Sequence, residues 1–296
     1  IRGSIFNIRF IFIYHGSNIA CRWWNVGMQN INSYQKALFA RRRIIELGYE
    51  CGKNGAHFGS SLSLVDVLTS VYITHFKSRP ESIKMNNRTR FILSKGHGAL
   101  GYFAILEAFG FLTSKQTSGF EKNGSNIFAH AHKDLNSGIE YSGGSLGLGV
   151  SFGVGVALAN RIKKLESQVI VLAGDGECDE GVVWEALMSA ANYKLDNFTI
   201  IVDRNQMQSD GDKMTIMDHN DICGKLASFG FCVHEVDGHN HSEIQDALSS
   251  DSSKPKAIVA NTVKGHGISF MEANPDWHHG FLNEKQFTQA LSELRE

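Results

Sequence analysis

Two short apolar runs frame the segment that most constrains the fold of this chain. Residues 169–173 (VIVLA) lead into the turn Gly174-Asp175-Gly176, and residues 198–202 (FTIIV) lead towards Asn205. Both runs are rich in β-branched residues and short, so they predict buried parallel strands. Residues 181–195 between them predict a helix. The unit therefore places Asp175 and Asn205 at the carboxyl ends of two parallel strands, where ligands bind in open α/β sheets.

The residue types at these strand ends suit a metal ion and a phosphate. Asp175 and Asn205 offer hard oxygen ligands for Mg²⁺, and Gly174 and Gly176 let the backbone approach a diphosphate closely. The spacing resembles the thiamin diphosphate motif. That resemblance implies that Asp175, the side-chain oxygen of Asn205 and the backbone carbonyl of Met207 hold Mg²⁺, or Ca²⁺ or Mn²⁺ in its place. The alternative is a glycine turn whose aspartate caps the next helix.

Composition excludes several classes of protein. Apolar residues make up 42% of the 296 residues and charged residues 20%, as in soluble globular enzymes. A formal net charge of −1 indicates neither nucleic acid nor a membrane surface as a partner. The five cysteines form no CxxC pair, which argues against a disulfide framework or a zinc site and favours a cytoplasmic location.

The first 27 residues differ from the rest of the chain. Their apolar stretch at residues 5–14 is too short to cross a bilayer. We expect residues 1–27 to be a poorly ordered extension, with a non-native origin left open, and residues 28–296 to form one domain.

Strands and helices alternate along that domain. Further strands are predicted at residues 90–94, 232–236 and 257–263, and helices at residues 33–48, 62–76, 98–110, 149–164, 218–229, 242–248 and from 284 onwards. Loops at residues 52–61 and 113–140 carry His57 and His130. This alternation predicts an α/β fold with a doubly wound, mostly parallel sheet.

Several motifs occur in the order found in transketolases. They are residues 55–63 (GAHFGSSLS), 94–98 (SKGHG), 144–147 (GSLG), 174–181 (GDGECDEG), 184–186 (WEA) and 277–278 (WH). From residue 33 onwards the chain resembles the amino-terminal, diphosphate-binding half of transketolase, particularly the short split form.

Transketolases surround the thiazolium ring and the donor hydroxyls with histidines. The resemblance assigns these positions to His57, His97, His130 and His278. It implies that His97 and His278 approach the diphosphate and the reacting centre, while His57 and His130 handle substrate hydroxyls. Imidazole suits this chemistry because it donates or accepts a proton near neutral pH. The neighbouring histidines that could be confused with these four are His132, His266 and His279.

The resemblance also implies cofactor contacts and a dimer interface. It places Gly144, Leu146 and Gly147 beside the cofactor, although glycines at a helix start often serve close packing alone. It makes Glu180 and Glu185 the carboxylates that meet their symmetry mates across a dimer interface, where a shared proton could couple two sites. Glu180 would also border the cofactor. Without the resemblance, this pair is an ordinary solvated acidic face.

Three positions depart from the family pattern. Ala56 replaces the usual glycine before the histidine, Ala131 stands where the family normally has proline, and Leu148 stands where it often has glutamine. These departures bear on the geometry at the donor end of the site and leave the metal site unchanged.

The resemblance implies a second polypeptide. Thiamin catalysis needs a glutamate that tautomerises the aminopyrimidine, and in transketolases this glutamate lies in a separate pyrimidine-binding domain. The present sequence stops at Glu296, after the diphosphate domain. We therefore expect a C-terminal partner subunit that carries the pyrimidine-binding domain, in a 2+2 heterotetramer.

The expected function is that of the N-terminal subunit of a split transketolase. Such an enzyme transfers a two-carbon ketol unit from a ketose phosphate to an aldose phosphate. One alternative is the E1 α subunit of a 2-oxo acid dehydrogenase, which shares the GDG…N motif, but residues 95–97 (KGH) and 277–278 (WH) favour transketolase. The other is a non-catalytic cofactor-binding paralogue, against which the intact Asp175, Asn205 and histidines argue.

Overall fold

Five short strands form one parallel sheet. The computed structural model describes residues 32–76, 83–208, 211–217 and 221–295, so the extension predicted at residues 1–27 lies outside the described residues. The strands are β1 (Arg90–Leu93), β2 (Val169–Gly174), β3 (Phe198–Arg204), β4 (Cys232–Asp237) and β5 (Lys256–Asn261). They lie in the order β1-β2-β3-β5-β4, and every neighbouring pair is parallel. The predicted α/β fold is confirmed, with a sheet that is wholly parallel among the described strands.

Helices cover the sheet. In the described ranges they are α1 (Ser33–Glu50), α2 (Phe58–Ser63), α3 (Val65–His75), α4 (Ala99–Ala108), α5 (Ser114–Thr117), α6 (Leu148–Ile162), α7 (Gly181–Asn192), α8 (Lys213–Ile216), α9 (Ile222–Ser228), α10 (His241–Ser249) and α11 (Glu284–Glu293). None of these helices is both long and apolar enough to cross a membrane.

Each face of the sheet has its own apolar core. On one face, Ile170 and Leu172 of β2 belong to the cluster built by α1, α3, α4 and α10. On the other face, Val169 and Val171 of the same strand belong to the cluster built by α6, α7 and α9. Successive side chains of a strand point to opposite faces, so a strand that is buried on both faces must be apolar throughout. This explains why the strands read as continuous apolar runs.

The first predicted loop is shorter than expected. The prediction of one helix over residues 62–76 is wrong, because α2 already begins at Phe58 and α3 follows from Val65. Phe58 is fully buried and its ring packs closely on Gly48, where a Cβ atom would lie only 2.3 Å away. Serine is a weak helix former, so packing and not propensity sets the serine-rich α2.

A buried carboxylate in α3 anchors the loops that follow β4 and β5. Asp66 accepts hydrogen bonds from the side chains of Arg41, His239 and His241. Nδ1 of His239 lies 2.8 Å from Asp66 Oδ2, and its Nε2 accepts the backbone N–H of Val263 at 2.9 Å. Asp66, His239 and His266 lie close enough to suggest a cation site. However, both nitrogens of His239 are already used and Arg41 shares the carboxylate, so the cluster is a structural anchor.

Candidate functional site

The oxygens predicted to bind a metal lie at the carboxyl ends of β2 and β3. Asp175 is buried, and its Oδ2 accepts the backbone N–H of Gln206 at 2.8 Å. Oδ1 of Asn205 accepts the N–H of Met207 at 3.1 Å. Gln206 itself takes the left-handed conformation with φ 61°, so the chain turns sharply between Asn205 and Met207. Asp175 thereby holds the turn that carries the other two predicted ligands. A carboxylate, an amide oxygen and a carbonyl form a donor set that fits a hard divalent cation.

Glu177 ties three segments of the site together, and the sequence analysis missed it. Its buried carboxylate accepts hydrogen bonds from the Ser94 hydroxyl at 2.8 Å and from the backbone N–H groups of Gly147 at 2.8 Å and Gly174 at 2.9 Å. Burial raises the pKa of Glu177, and these three donors oppose that shift. The contacts join the end of β1, the end of β2 and the loop before α6. Only the position of this glutamate directly after the GDG turn could have suggested its role.

Gly147 brings the glycine loop against α7. It takes φ 76°, and a Cβ atom there would lie 2.9 Å from the side chains of Val182 and Val183. A side chain at this position would therefore push the loop away from α7. At the neighbouring Gly144 a Cβ atom would meet open space, and Leu146 is exposed. The loop thus presents backbone, with one exposed apolar side chain, at the edge of a cleft. This cleft lies at the carboxyl ends of the strands.

A fully buried ion pair lies beneath the site. The ammonium of Lys95 contacts the carboxylate of Asp203 and donates to the carbonyl of Ser60 at 3.2 Å. Asp203 also accepts hydrogen bonds from the hydroxyls of Ser63 and Thr262. Burial alone would raise the pKa of Asp203, but Lys95 and these donors hold it below its ordinary value. The pair joins the ends of β1 and β3 to α2.

Lys264 is a second buried cation at the site. Its Nζ donates to the carbonyl of Gln208 at 3.0 Å and lies 3.1 Å from Nδ1 of His278. Burial, together with the charge of Lys95, lowers the pKa of Lys264 to about 8. Because Lys264 donates to Nδ1, the proton of a neutral His278 ring sits on Nε2. Neither lysine was predicted as a site residue, although Lys95 lies in the motif at residues 94–98, because a lysine in a loop gives no signal of burial.

Histidines from four separate segments meet in one cluster around His57. Ring-centroid distances from His57 are 6.1 Å to His97, 5.8 Å to His130, 5.5 Å to His278 and 4.7 Å to His279. The rings of His97 and His278 stack at 5.5 Å. The structure thus brings together all four predicted histidines and adds His279.

The two other neighbouring histidines lie elsewhere. The ring of His132 packs on Phe128 at 4.6 Å, and that of His266 stacks on His239 at 3.6 Å. Glu180 and Glu185, the predicted interface carboxylates, have exposed side chains at the start of α7 and within it. The outer surfaces of α6 and α7 also expose apolar side chains, among them Leu148, Phe152 and Met188.

The cluster is poised to meet a polar ligand. Within the part of the chain that the structure describes, the ring nitrogens of His57, His97, His130 and His279 have no hydrogen-bond partner. Burial, and then the neighbouring imidazoles, lower the pKa of His57 to about 3. Burial and Lys95 likewise lower the pKa of His97. Both rings are therefore neutral near pH 7, and each can donate one hydrogen bond and accept another.

These shifts predict that mild acid destabilises the chain. The pKa of an unfolded imidazole is about 6.5, while that of His57 in the folded chain is about 3. Between these two pH values the unfolded chain binds more protons than the folded chain does. The contribution of the neutral His57 to the free energy of unfolding is therefore fully present above about pH 6.5 and is lost as the pH falls towards 3. Urea unfolding of the full chain from pH 7.5 to 4.5 should show this loss, and His57→Gln should reduce its slope. An unchanged slope in that variant would contradict the assignment of the acid sensitivity to the lowered pKa of His57.

A doubly wound sheet with buried carboxylate and amide oxygens and a histidine cluster at its carboxyl edge is typical of a cofactor-binding α/β domain. The chain belongs to the transketolase family: the family model described as "Transketolase, thiamine diphosphate binding domain" matches residues 38–294. This match supports thiamin diphosphate as the ligand of the cleft.

Relatives of two lengths match the chain. An apulose-4-phosphate transketolase subunit from Actinobacillus succinogenes is 36% identical over 92% of this chain and 99% of its own length. A 6-deoxy-6-sulfo-D-fructose transketolase subunit from Clostridium sp. is 35% identical over 90% of this chain and 97% of its own length. The solved transketolase from Leishmania mexicana superposes with a TM-score of 0.80 and 25% identity, covering 89% of this chain and 41% of that one. The chain thus spans nearly the whole of the subunits and about two fifths of the longer enzyme.

Proposed function

We propose that this chain is the N-terminal subunit of a split transketolase, which transfers a two-carbon ketol unit from a ketose phosphate to an aldose phosphate. The observation that carries the proposal is the meeting of two features in one cleft. Buried oxygens at Asp175 and Asn205 suit a metal and a diphosphate, and the histidine cluster around His57 suits a polyhydroxylated substrate.

The cofactor end of the cleft is built by the strand ends. Asp175, the amide oxygen of Asn205 and the carbonyl of Met207 would hold a divalent metal, preferably Mg²⁺, against the diphosphate. Thiamin diphosphate, when bound, supplies a carbon nucleophile and an electron sink. Lys264 adds positive charge beside the anionic group, and Glu177 orients the loop that carries Gly147. Backbone contacts to the cofactor would come from Gly144, Gly147, Gly174 and Gly176, with Leu146 and Glu180 at its border.

The histidines move or hold protons at substrate oxygens. His97 and His278 stack on each other, and Lys264 fixes the proton of His278 on Nε2. We assign these two rings to the diphosphate and the reacting centre. His57 and His130 have unused ring nitrogens and would exchange protons or hydrogen bonds with the sugar hydroxyls. A neutral imidazole suits this task because it can act in both directions.

A partner subunit completes the enzyme in this proposal. The two relatives described above that are covered along nearly their whole length are named as subunits, whereas the solved transketolase from Leishmania mexicana is covered over only 41% of its chain. The partner would carry the pyrimidine-binding domain with its glutamate. The exposed apolar side chains of α6 and α7, beside Glu180 and Glu185, provide a surface for assembly into a 2+2 heterotetramer in the cytoplasm.

Reconstitution tests this proposal. The purified chain alone should show no ketol transfer from ketose phosphates, because the proposal assigns the glutamate that activates the aminopyrimidine to the partner. Addition of the cognate subunit with the pyrimidine-binding domain should restore transfer, and the two chains should co-elute with two copies of each. Ketol transfer by the single chain would refute the split-enzyme assignment.

The same complex discriminates the E1 alternative. An E1 component decarboxylates a 2-oxo acid and acylates a lipoyl domain. If the complex catalysed that reaction and no ketol transfer, the function would be reassigned to the 2-oxo acid dehydrogenases. Binding of thiamin diphosphate without turnover of either substrate class would instead support the non-catalytic paralogue.

A further inference from the structure

His279 is the outermost ring of the histidine cluster. Its side chain is exposed, whereas His57, His97, His130 and His278 are all partly buried. Its ring centroid lies 4.7 Å from that of His57, closer than any other ring of the cluster. His279 therefore extends the line of imidazoles from the interior of the cleft to its mouth.

Backbone contacts place His279 although it is exposed. Ala56 and Gly280 form an antiparallel bridge, with N–H···O distances of 2.7 and 3.1 Å. Gly55, beside this bridge, takes φ 70°, and a Cβ atom there would lie 2.9 Å from Cε1 of His279 and 2.6 Å from the carbonyl oxygen of Gly280. The imidazole thus rests on the glycine backbone. The bridge fixes the backbone next to the ring before any ligand arrives, which lowers the entropy cost of binding.

The polar atoms of this ring are available to a ligand. Among the described residues, neither nitrogen of His279 has a hydrogen-bond partner, in contrast to Nδ1 of His278, which contacts Lys264. A ring held in place with two unused polar atoms, at the mouth of a cleft lined by similar rings, is suited to the hydroxyl groups of a polyol.

We propose that His279 binds a sugar hydroxyl that lies farther from the reacting carbon than those reached by His57 and His130. This inference rests on the proposed ketol-transfer function. A substrate whose carbonyl lies near His97 and His278 extends outward past His57, and a chain of several hydroxylated carbons then reaches His279. The residue therefore selects longer polyhydroxylated aldehydes over short ones.

The test compares two acceptors in the reconstituted enzyme with hydroxypyruvate as the ketol donor. The donor's bond to its carboxylate carbon breaks and releases CO₂, and the ketol unit forms a new C–C bond to the aldehyde with uptake of one proton. His279→Ala should lower kcat/KM for D-erythrose by about 10-fold or more, the effect of one lost hydrogen bond to a ligand. For glycolaldehyde, which carries a single hydroxyl, the change should stay below about 2-fold.

Three comparisons make the result decisive. His279→Gln keeps a donor and an acceptor and should recover most of the activity towards D-erythrose. His132 is an exposed histidine outside the cluster, so His132→Ala should leave kcat/KM unchanged for both acceptors. Equal losses for both acceptors, or weaker assembly with unchanged selectivity, would overturn the role of His279 and leave the proposed function intact. Absence of ketol transfer from any ketose phosphate to any aldose phosphate by the wild-type complex would instead refute the proposed function itself.

Discussion

An Asp175→Ala variant is expected to lose magnesium-dependent binding of thiamin diphosphate, with an affinity more than about 100-fold lower in the reconstituted complex. Two contacts that matter for the metal disappear together. One of the few proposed metal ligands is removed, and the N–H of Gln206 loses the carboxylate that holds the turn between Asn205 and Met207. Calorimetric titration with thiamin diphosphate, with Mg²⁺ and then with a chelator present, measures the effect.

One further variant tests the role of the charge at position 175, and a second, at position 179, is its control. Asp175→Asn keeps an oxygen that can accept the Gln206 N–H, so its affinity should lie between those of the wild type and the alanine variant. Asp179→Asn changes another carboxylate of the same segment, one that accepts from Gln208 Nε2 at 2.6 Å, and should bind nearly as the wild type does. Wild-type affinity in Asp175→Ala would remove the metal assignment.

Replacement of Lys95 by methionine should destabilise the fold by about 3–5 kcal/mol, the usual effect of leaving one partner of a buried ion pair alone. Both Lys95 and Asp203 are inaccessible to solvent. Without the ammonium, the carboxylate keeps its hydroxyl donors, Ser63 and Thr262, but loses its counter-charge. Urea unfolding at pH 7 measures the change in the free energy of unfolding.

An exposed ion pair provides the matched control for Lys95. Lys122 and Glu50 lie 2.6 Å apart with about half of each side chain exposed, so Lys122→Met should cost less than about 1 kcal/mol. Adding Asp203→Asn to Lys95→Met should recover part of the loss, because the uncompensated charge is removed. If the Lys95 variant were no less stable than the Lys122 variant, the ion pair of Lys95 and Asp203 would not be needed for the stability of the fold.

Local sequence pattern predicted the sheet well and the polar ends of its strands poorly. The strand prediction at residues 198–202 stopped where the apolar run stops, yet β3 continues to Arg204 through the buried Asp203. A charged residue can remain inside this strand only because Lys95, far away in the sequence, neutralises it. The helix predicted to begin at residue 218 is described only from Ile222. Asp221 precedes this helix and caps it by accepting the N–H of Gly224.

The residues of the site also fall into two groups, those that the sequence predicted and those that it did not. Asp175, Asn205 and the histidines stand in motifs that resemblance can recognise, although their roles remain proposals. Glu177 and Lys95 also stand in these motifs and Lys264 does not, but all three act through contacts between distant segments, and the sequence alone does not show those contacts. His279 could be named only as a neighbour of His278, because sequence gives no means of telling which of two adjacent rings faces the cleft.

The bridge between Ala56 and Gly280 has a consequence for the order of folding. It joins segments near the two ends of the described chain, and the entropy of closing so long a loop makes such a contact late. The sheet and most helices can form from contacts much closer in sequence, whereas His278 and His279 join the other imidazoles only through contacts of this long range. A chain stopped before this closure would lack two of the clustered histidines, so we expect the complete cluster only in molecules that have finished folding.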